Sequence, residues 1–107
     1  MWWAEFHKGW ERPAIIVSRN ELNRGRLVLV VPCTSSRVEE RALLANHVFI
    51  PAGAAGLTKD TIVQTHLIQP IEVNYLERKL GRLHNQLLAE VLLAIAWTID
   101  LFDTSFA

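Results

Sequence analysis

A permanently charged arginine, Arg12, stands directly before the apolar segment from Pro13 to Val17. Because the proline ring fixes the backbone behind it, we expect the guanidinium to emerge from the start of a stiff strand. A guanidinium presents a planar fork of N–H donors that matches the oxygens of a phosphate group. Arg12 is therefore a candidate for phosphate recognition; the alternative is an ordinary surface arginine paired with Glu11.

Three hydroxyl side chains, Thr34, Ser35 and Ser36, follow the apolar run from Leu27 to Val31. They lie at the predicted end of a buried strand, where a cleft can open and hydroxyls can hold a phosphate oxygen. The same residues are also typical of a turn that they cap themselves. Cys33 precedes them, but nothing nearby would lower its thiol pKa, so we expect a core residue and not a nucleophile.

Gln64 and His66 are the third candidate group, predicted to lie side by side on one face of a β-strand. A histidine can exchange a proton near neutral pH, as acid–base catalysis requires, although many strand histidines are simply hydrogen bonded. The chain has one cysteine, no carboxylate cluster in the sequence and no recognised nucleotide-binding glycine motif, so we expect neither a metal site nor a cofactor. The histidines also lack metal-ligand spacing: His7, His47, His66 and His84.

Short apolar segments predict the strands that must position these residues. They are Trp2 to Phe6, Pro13 to Ser18, Arg26 to Val31 with a stop at Pro32, a strand ending at Pro51, and a β-rich stretch from Asp60 to Val73. The unbroken run from Leu27 to Val31 suggests burial on both faces. Several strands followed by one helix favour a small curled sheet or barrel that a terminal helix covers.

The last third of the chain changes to helical periodicity. An apolar stripe recurs at steps of three and four residues, through Leu88, Val91, Leu92, Ile95, Ile99 and Phe102. His84 or Asn85 can cap the start of this helix, and asparagine is the better capping residue. Leu93 and Trp97 fall off the stripe, which indicates either a second apolar surface for a partner or the overhang of a buried helix.

Size and composition fit one packed domain spanning residues 1–107. Half of the residues are hydrophobic and about a fifth are charged, which excludes a disordered chain. No apolar run reaches the length of a membrane span and no signal peptide is evident, so we expect a cytoplasmic protein, consistent with its single cysteine. Eleven basic residues balance eleven acidic ones, so any contact with nucleic acid must depend on local charge placement.

A set of motifs in a fixed order makes the chain resemble the MazF/PemK family, the ribonuclease toxins of bacterial toxin–antitoxin systems. The segments are "WWAEF", "GWERPAIIVS", "RLVLVVPCTSS", "FIPAGAAGLTKD" and "LGRLHNQLLAEV". They match an aromatic first strand, an RP before an apolar strand, a Val-rich strand ending in P-x-T-S, a G-L-x-K-D loop and an L-G-R-L before the last helix. The resemblance runs almost end to end.

The resemblance implies an SH3-like barrel of the CcdB/MazF type with a C-terminal helix, paired as a homodimer. It implies a sequence-selective, metal-independent endoribonuclease that cleaves single-stranded RNA and is neutralised by a cognate antitoxin. By the resemblance Arg12 and Thr34 would be the catalytic pair; His66, which departs from the family pattern, is a further catalytic candidate because a histidine can transfer a proton. The residues expected to contact RNA are Lys8, Ser35, Ser36, Lys59 and Gln64.

Two departures from the family pattern keep other functions open. The loop before Arg12 is short, and His66–Leu67 stand where many relatives carry an acid followed by glutamine. One alternative is a CcdB-like poison of DNA gyrase, but the Trp-Gly-Ile ending of those toxins is absent because Trp97 is followed by Thr98. The other is an inactive module that only binds RNA or antitoxin.

Overall fold

Seven antiparallel strands and one long helix make up the computed structural model, which describes residues 1–100. The strand order is β4–β5–β3–β2–β1–β7, and β6 pairs with β3 beside this path. Three single 3₁₀ turns connect the elements. The bounds are β1 Trp2–His7, β2 Trp10–Ile16, β3 Leu27–Thr34, α1 Val38–Arg41, β4 His47–Ile50, β5 Thr61–Gln64, β6 Gln69–Glu72, β7 Leu76–Lys79 and α2 Asn85–Thr98.

Strand β3 continues through Pro32 to Thr34, so the strand end that the sequence predicted at Pro32 is wrong. Its first half, through Val30, pairs with β6, whereas Cys33 and Thr34 pair with β5. Pro32 is opposite Ala14 of β2, at the place where β3 exchanges one neighbour for the other. A proline removes only one backbone donor, so the strand tolerates it at this changeover and continues to Thr34.

The apolar run in β3 is less buried than its sequence suggested. Val28, Val30 and Val31 are buried, but Leu27 and Leu29 are exposed. These two leucines alternate with the buried valines, as the side chains of a strand with one solvent-facing side do. The prediction of burial on both faces is therefore wrong for Leu27 to Leu29, and within the predicted run only Val30 and Val31 are consecutive buried residues.

The predicted strand through His66 is also corrected. Strand β5 ends at Gln64, and residues Thr65–Leu67 form a 3₁₀ turn. Thr65 is fully buried, and its hydroxyl donates to the Asn46 carbonyl and lies 2.7 Å from the Thr98 hydroxyl. These contacts draw the chain inward at Thr65, so that His66 leaves the strand and becomes exposed.

Helix α2 begins after His84, whose ring Nδ1 accepts a hydrogen bond from the Leu87 N–H at 3.5 Å. The capping residue is therefore His84, and Asn85 is the first residue of the helix. Its buried residues are Leu87, Val91 and Ala94. The stripe predicted for this helix is therefore rotated: Leu88 and Ile95 pack at its edge, whereas Leu92 and Ile99 are exposed. Leu93 and Trp97 are exposed as well, and Phe102 lies outside the described residues.

Two clusters of apolar side chains hold the sheet together. The larger one packs α2 against Ile15, Val31, Val63 and their neighbours, and the smaller one lies on the other side of the β1–β2–β3 sheet around Ala4 and Val30. Burial of this apolar area is the main stabilising contribution to such a fold. In the part of the chain described here, no helix has the length and apolar character to cross a bilayer.

Candidate active site

The ends of β2 and β3 border one cavity of about 530 Å³, which we call the Arg12–Thr34 cavity. Strands β1, β2 and β7, the residues that follow β3, and the loop before β5 form its walls. Five predicted site residues thus line one space: Arg12, Thr34, Ser35, Ser36 and Lys59. The other residues that line it are Trp3, Glu11, Pro13, Gly56, Leu57, Thr58, Thr61, Arg78 and Leu80.

Arg12 is held by the backbone and by an aromatic ring. Its Nη1 donates to the Glu11 carbonyl at 2.8 Å, and its guanidinium carbon lies 5.6 Å from the centre of the Trp10 ring. The Glu11 carboxylate accepts instead from the Trp3 indole N–H at 3.0 Å. Among residues 1–100 the guanidinium forms no ion pair, so the surface pairing considered from the sequence is not observed.

Thr34 is the last residue of β3 and is buried, with 7% of its surface exposed. Its Oγ1 accepts from the Ser36 N–H at 3.1 Å, which fixes the hydroxyl where the chain leaves the sheet. Within the described chain the hydroxyl proton has no acceptor, so it remains free for donation to a ligand. The turn-capping role and the ligand-binding role suggested by the sequence are therefore compatible in this one residue.

Two glycines, Gly56 and Gly81, allow the loop before β5 to lie close against the chain that leads into α2. Gly56 has φ +77°, and a Cβ there would lie 1.9 Å from the Leu80 carbonyl oxygen. A Cβ on Gly81 would lie 2.6 Å from the carbonyl carbon and oxygen of Ala55. The G-L-x-K-D and L-G-R-L motifs thus meet through their glycines, and Lys59 of the first motif lines the cavity. Both motifs are evident in the sequence, but their contact is not.

A cluster of carboxylates extends from the cavity across β1 to the edge strand β7, contrary to the sequence expectation. Oxygens of Glu5, Glu11 and Glu77 all lie within 4.8 Å of one another, because β1 pairs with β2 on one side and β7 on the other. Loss of solvation raises the pKa of Glu77, and the negative charge of Glu11 and a hydrogen bond with it raise the pKa further. Such oxygens suit hard cations in general, but here Glu11 is also bound by an indole N–H.

Gln64 and His66 lie in a second space, which we call the histidine hollow, of about 580 Å³. The structure therefore does not bring these two predicted residues together with Arg12 and Thr34 within one chain. Lys8 is exposed in the β1–β2 turn and lines neither space. The residues lining the histidine hollow are Arg37, Glu40, Arg41, Leu44, Asn46, His47, Gln64 and His66.

Cys33 does not take part in either space. It is fully buried in the larger core, and burial raises the pKa of its thiol to about 12. A thiol is a nucleophile only as its thiolate. The geometry therefore agrees with the sequence interpretation of Cys33 as a core residue.

Comparison with known proteins places this architecture in one family. The family model of the PemK-like, MazF-like toxins of type II toxin–antitoxin systems matches residues 1–99. The probable endoribonuclease MazF5 of Mycobacterium tuberculosis is 27% identical over 101 residues, which cover 94% of this chain and 89% of the relative.

Solved structures agree with the family match. The M. tuberculosis toxin MazF-mt6 superimposes with a TM-score of 0.79 at 25% identity, covering 92% of this chain and 94% of that one. A MazE–MazF complex of Deinococcus radiodurans contains a chain with a TM-score of 0.71 at 22% identity, over 91% of this chain and 88% of its own. The predicted fold, mainly β with a C-terminal helix, is confirmed.

Proposed function

The chain belongs to the PemK-like, MazF-like toxins of type II toxin–antitoxin systems, and we propose that it is an endoribonuclease that cleaves single-stranded RNA without a metal ion. The observation that carries this proposal is that Arg12 and Thr34, which are distant in sequence, line the same cavity. Arg12 is charged and free of ion pairs in the described chain, and Thr34 has a proton to donate. Both are donors suited to the oxygens of a phosphodiester.

The reaction that these donors support uses a nucleophile that RNA itself carries. The 2′-hydroxyl oxygen attacks the adjacent phosphorus and the bond from phosphorus to the 5′ oxygen breaks. The products are a 2′,3′-cyclic phosphate and a 5′-hydroxyl end. Negative charge that accumulates on the phosphoryl oxygens is stabilised by Arg12 and Thr34, in a cavity where fixed donors act more strongly than in water.

Two protons must move, and two titratable residues of the cavity are suited to move them. We assign removal of the 2′ proton to the Glu11 carboxylate, whose position the Trp3 indole fixes, and protonation of the 5′ oxygen to the Lys59 ammonium. Ser35 and Ser36 are exposed hydroxyls beside Thr34 and serve as contacts to the RNA. The catalytic role predicted for His66 stays a prediction, because His66 does not line this cavity.

We further propose that residues 1–107 form one cytoplasmic domain that acts as a homodimer and is neutralised by a cognate antitoxin. The exposed Leu93 and Trp97 of α2, beside the half-exposed Phe49, support an apolar surface for the second copy. The MazE–MazF complex of D. radiodurans supports an antitoxin partner by analogy. The gyrase alternative is not favoured, because the family match is to the PemK/MazF group.

The test is incubation of the purified protein with a long unstructured RNA in the presence of a chelator, followed by mapping of the cut ends. We expect 2′,3′-cyclic phosphate and 5′-hydroxyl ends, and no cutting where the 2′-hydroxyl at the cut site is replaced by hydrogen. Cutting of that deoxy substrate at an unchanged rate would exclude the mechanism. RNA binding without any product would support the inactive-module alternative instead.

A further inference from the structure

Trp10 contacts Arg12 but does not line the Arg12–Thr34 cavity. The centre of its ring lies 5.6 Å from the guanidinium carbon, and the tryptophan side chain is half-buried. The ring therefore touches the charged group that the proposed mechanism uses, without bordering the space in which the phosphate reacts. This placement suits a residue that acts on the reaction through Arg12.

A tight hairpin fixes the Trp10 ring. His7 pairs with Trp10 across a turn that ends in Gly9, whose φ is +81°. The register shifts just before His7, and Phe6 is the extra residue of a bulge in β1. Neighbouring side chains of a regular strand point to opposite faces, but here the bulge lets both rings contact Trp10. Phe6 lies 4.9 Å from it, and His7 is stacked at 5.6 Å between ring centres.

The carboxylates around Arg12 show what the ring contributes. Arg12 follows Glu11 in β2, beside the strand that carries Glu5. An arginine next to carboxylates ordinarily forms an ion pair, which engages its N–H donors and neutralises its charge. Here the Trp3 indole is bound to the Glu11 carboxylate, and Arg12 donates from Nη1 to the Glu11 carbonyl. Against the Trp10 ring the guanidinium has a fixed position without an acidic partner in the described chain.

We propose that Trp10 is a positioning residue for RNA cleavage, whose ring holds the Arg12 guanidinium at the cavity and away from the neighbouring carboxylates. This inference rests on the proposed function, because it depends on Arg12 acting on a phosphate. A cation–π contact uses the face of the ring, so it holds a cation without consuming a hydrogen-bond donor. Negative charge builds on the phosphate in the transition state, so displacement of the guanidinium should lower kcat more than it raises KM.

The experiment introduces mono-, di- and trifluorinated tryptophan at Trp10 alone, by suppression of a stop codon. Fluorine withdraws electron density from the ring face and weakens the cation–π attraction, while the side chain keeps nearly the same shape. We expect kcat for RNA cleavage to fall stepwise along the series, by about fivefold at its end, with little change in KM or Tm.

The matched control is the same series at Trp2, a half-buried tryptophan of β1 that does not line the cavity. In the described part of the chain no cationic side chain lies over the Trp2 ring, so kcat should stay constant. Trp10→Phe keeps a weaker ring face and should retain most of the activity, whereas Trp10→Leu should lower kcat about fivefold. A constant kcat along the fluorinated Trp10 series would overturn the proposal, even where Trp10→Leu is inactive because its hairpin does not fold.

Direct contact of Trp10 with RNA is a separate outcome. Fluorination that raises KM, with an effect that disappears when one nucleotide of the RNA is made abasic, would assign Trp10 to base stacking and overturn the proposal.

Nuclear magnetic resonance of the free protein tests the contact without cleavage. The ring current of Trp10 should shift the Arg12 side-chain protons upfield, and Trp10→Leu should abolish this shift. Unshifted Arg12 signals in the wild-type protein would overturn the proposal. If the shift is present and depends on Trp10, but the wild-type protein never cleaves RNA, the proposed function fails while the placement of Arg12 by Trp10 stands.

Discussion

Replacement of Gly81 by alanine tests whether the contact between two glycine motifs positions the Arg12–Thr34 cavity. The added Cβ would lie 2.6 Å from the carbonyl group of Ala55 and 2.7 Å from the Gly56 nitrogen. These are backbone atoms, so no side-chain rotation can relieve the contact. The loop must retreat by about 0.8 Å before the Cβ reaches the 3.4 Å of ordinary van der Waals contact.

The expected costs follow from that displacement. Overpacking of this kind costs about 1–3 kcal/mol. For a domain of about 100 residues, 2 kcal/mol lowers Tm by roughly 8–16 °C. The displaced loop carries Thr58 and Lys59, which line the cavity. Since a displacement of about 1 Å in a catalytic site can lower the rate by about 100-fold, we expect kcat for RNA cleavage to fall by roughly 10- to 100-fold.

The assay compares Gly81→Ala with Gly25→Ala by thermal unfolding and by RNA cleavage. Gly25 is a matched control, because its φ is −85° and an added Cβ lies 3.6 Å from the nearest atom, the Leu22 carbonyl oxygen. That variant should keep its activity and gain up to about 1 kcal/mol, since alanine restricts the unfolded chain. Equal Tm values and equal cleavage rates for the two variants would refute the reasoning.

Four further predictions concern separate parts of the molecule. Glu11→Gln should lower kcat for RNA cleavage by at least about tenfold with little change in KM, and an unchanged kcat would remove Glu11 from the mechanism. Cys33→Ala should keep full activity. Native Cys33 should resist alkylation at pH 8, because burial raises the pKa of its thiol to about 12. Rapid alkylation of the folded protein would contradict this. Burial lowers the pKa of His47; a hydrogen bond to the Arg41 carbonyl opposes this shift, and the charges of His66 and Arg41 reinforce it. On acidification the unfolded chain therefore binds the proton at a higher pH than the folded protein does, and the free energy of unfolding should fall as the pH drops below 6.5. This fall should be less steep in His47→Gln. Trp97→Glu should shift the protein from dimer to monomer in sedimentation, and a persistent dimer would exclude α2 from the interface.

The sequence predicted the residues of the cavity better than the elements that carry them. Arg12 and Thr34 were recognisable because each stands beside an apolar run in the sequence, although Arg12 lies within β2, which begins at Trp10 and not at Pro13. The placement of His66 was wrong, because a buried hydroxyl at Thr65 ends the strand, and its partners Asn46 and Thr98 are distant in sequence. Alternation in a short polar segment carries no information about such contacts.

The remaining differences have similar causes. Proline was treated as the end of β3, yet Pro32 is where that strand changes partners, a property of the sheet and not of the local sequence. The sequence pattern predicted that only large side chains form the buried face of α2, whereas the small Ala94 is also buried there. The carboxylate cluster was missed because Glu77 comes from a strand that only the topology brings beside Glu5.

The most direct test of the central claim is a double-mutant cycle in RNA cleavage with Arg12→Lys, Thr34→Val and the combined variant. Both single changes should leave the fold intact by thermal unfolding and lower kcat strongly. If the guanidinium and the hydroxyl stabilise charge on the same phosphate, the combined variant should lose much less than the product of the two single effects. Strictly multiplicative losses, or full activity in either single variant, would contradict the account.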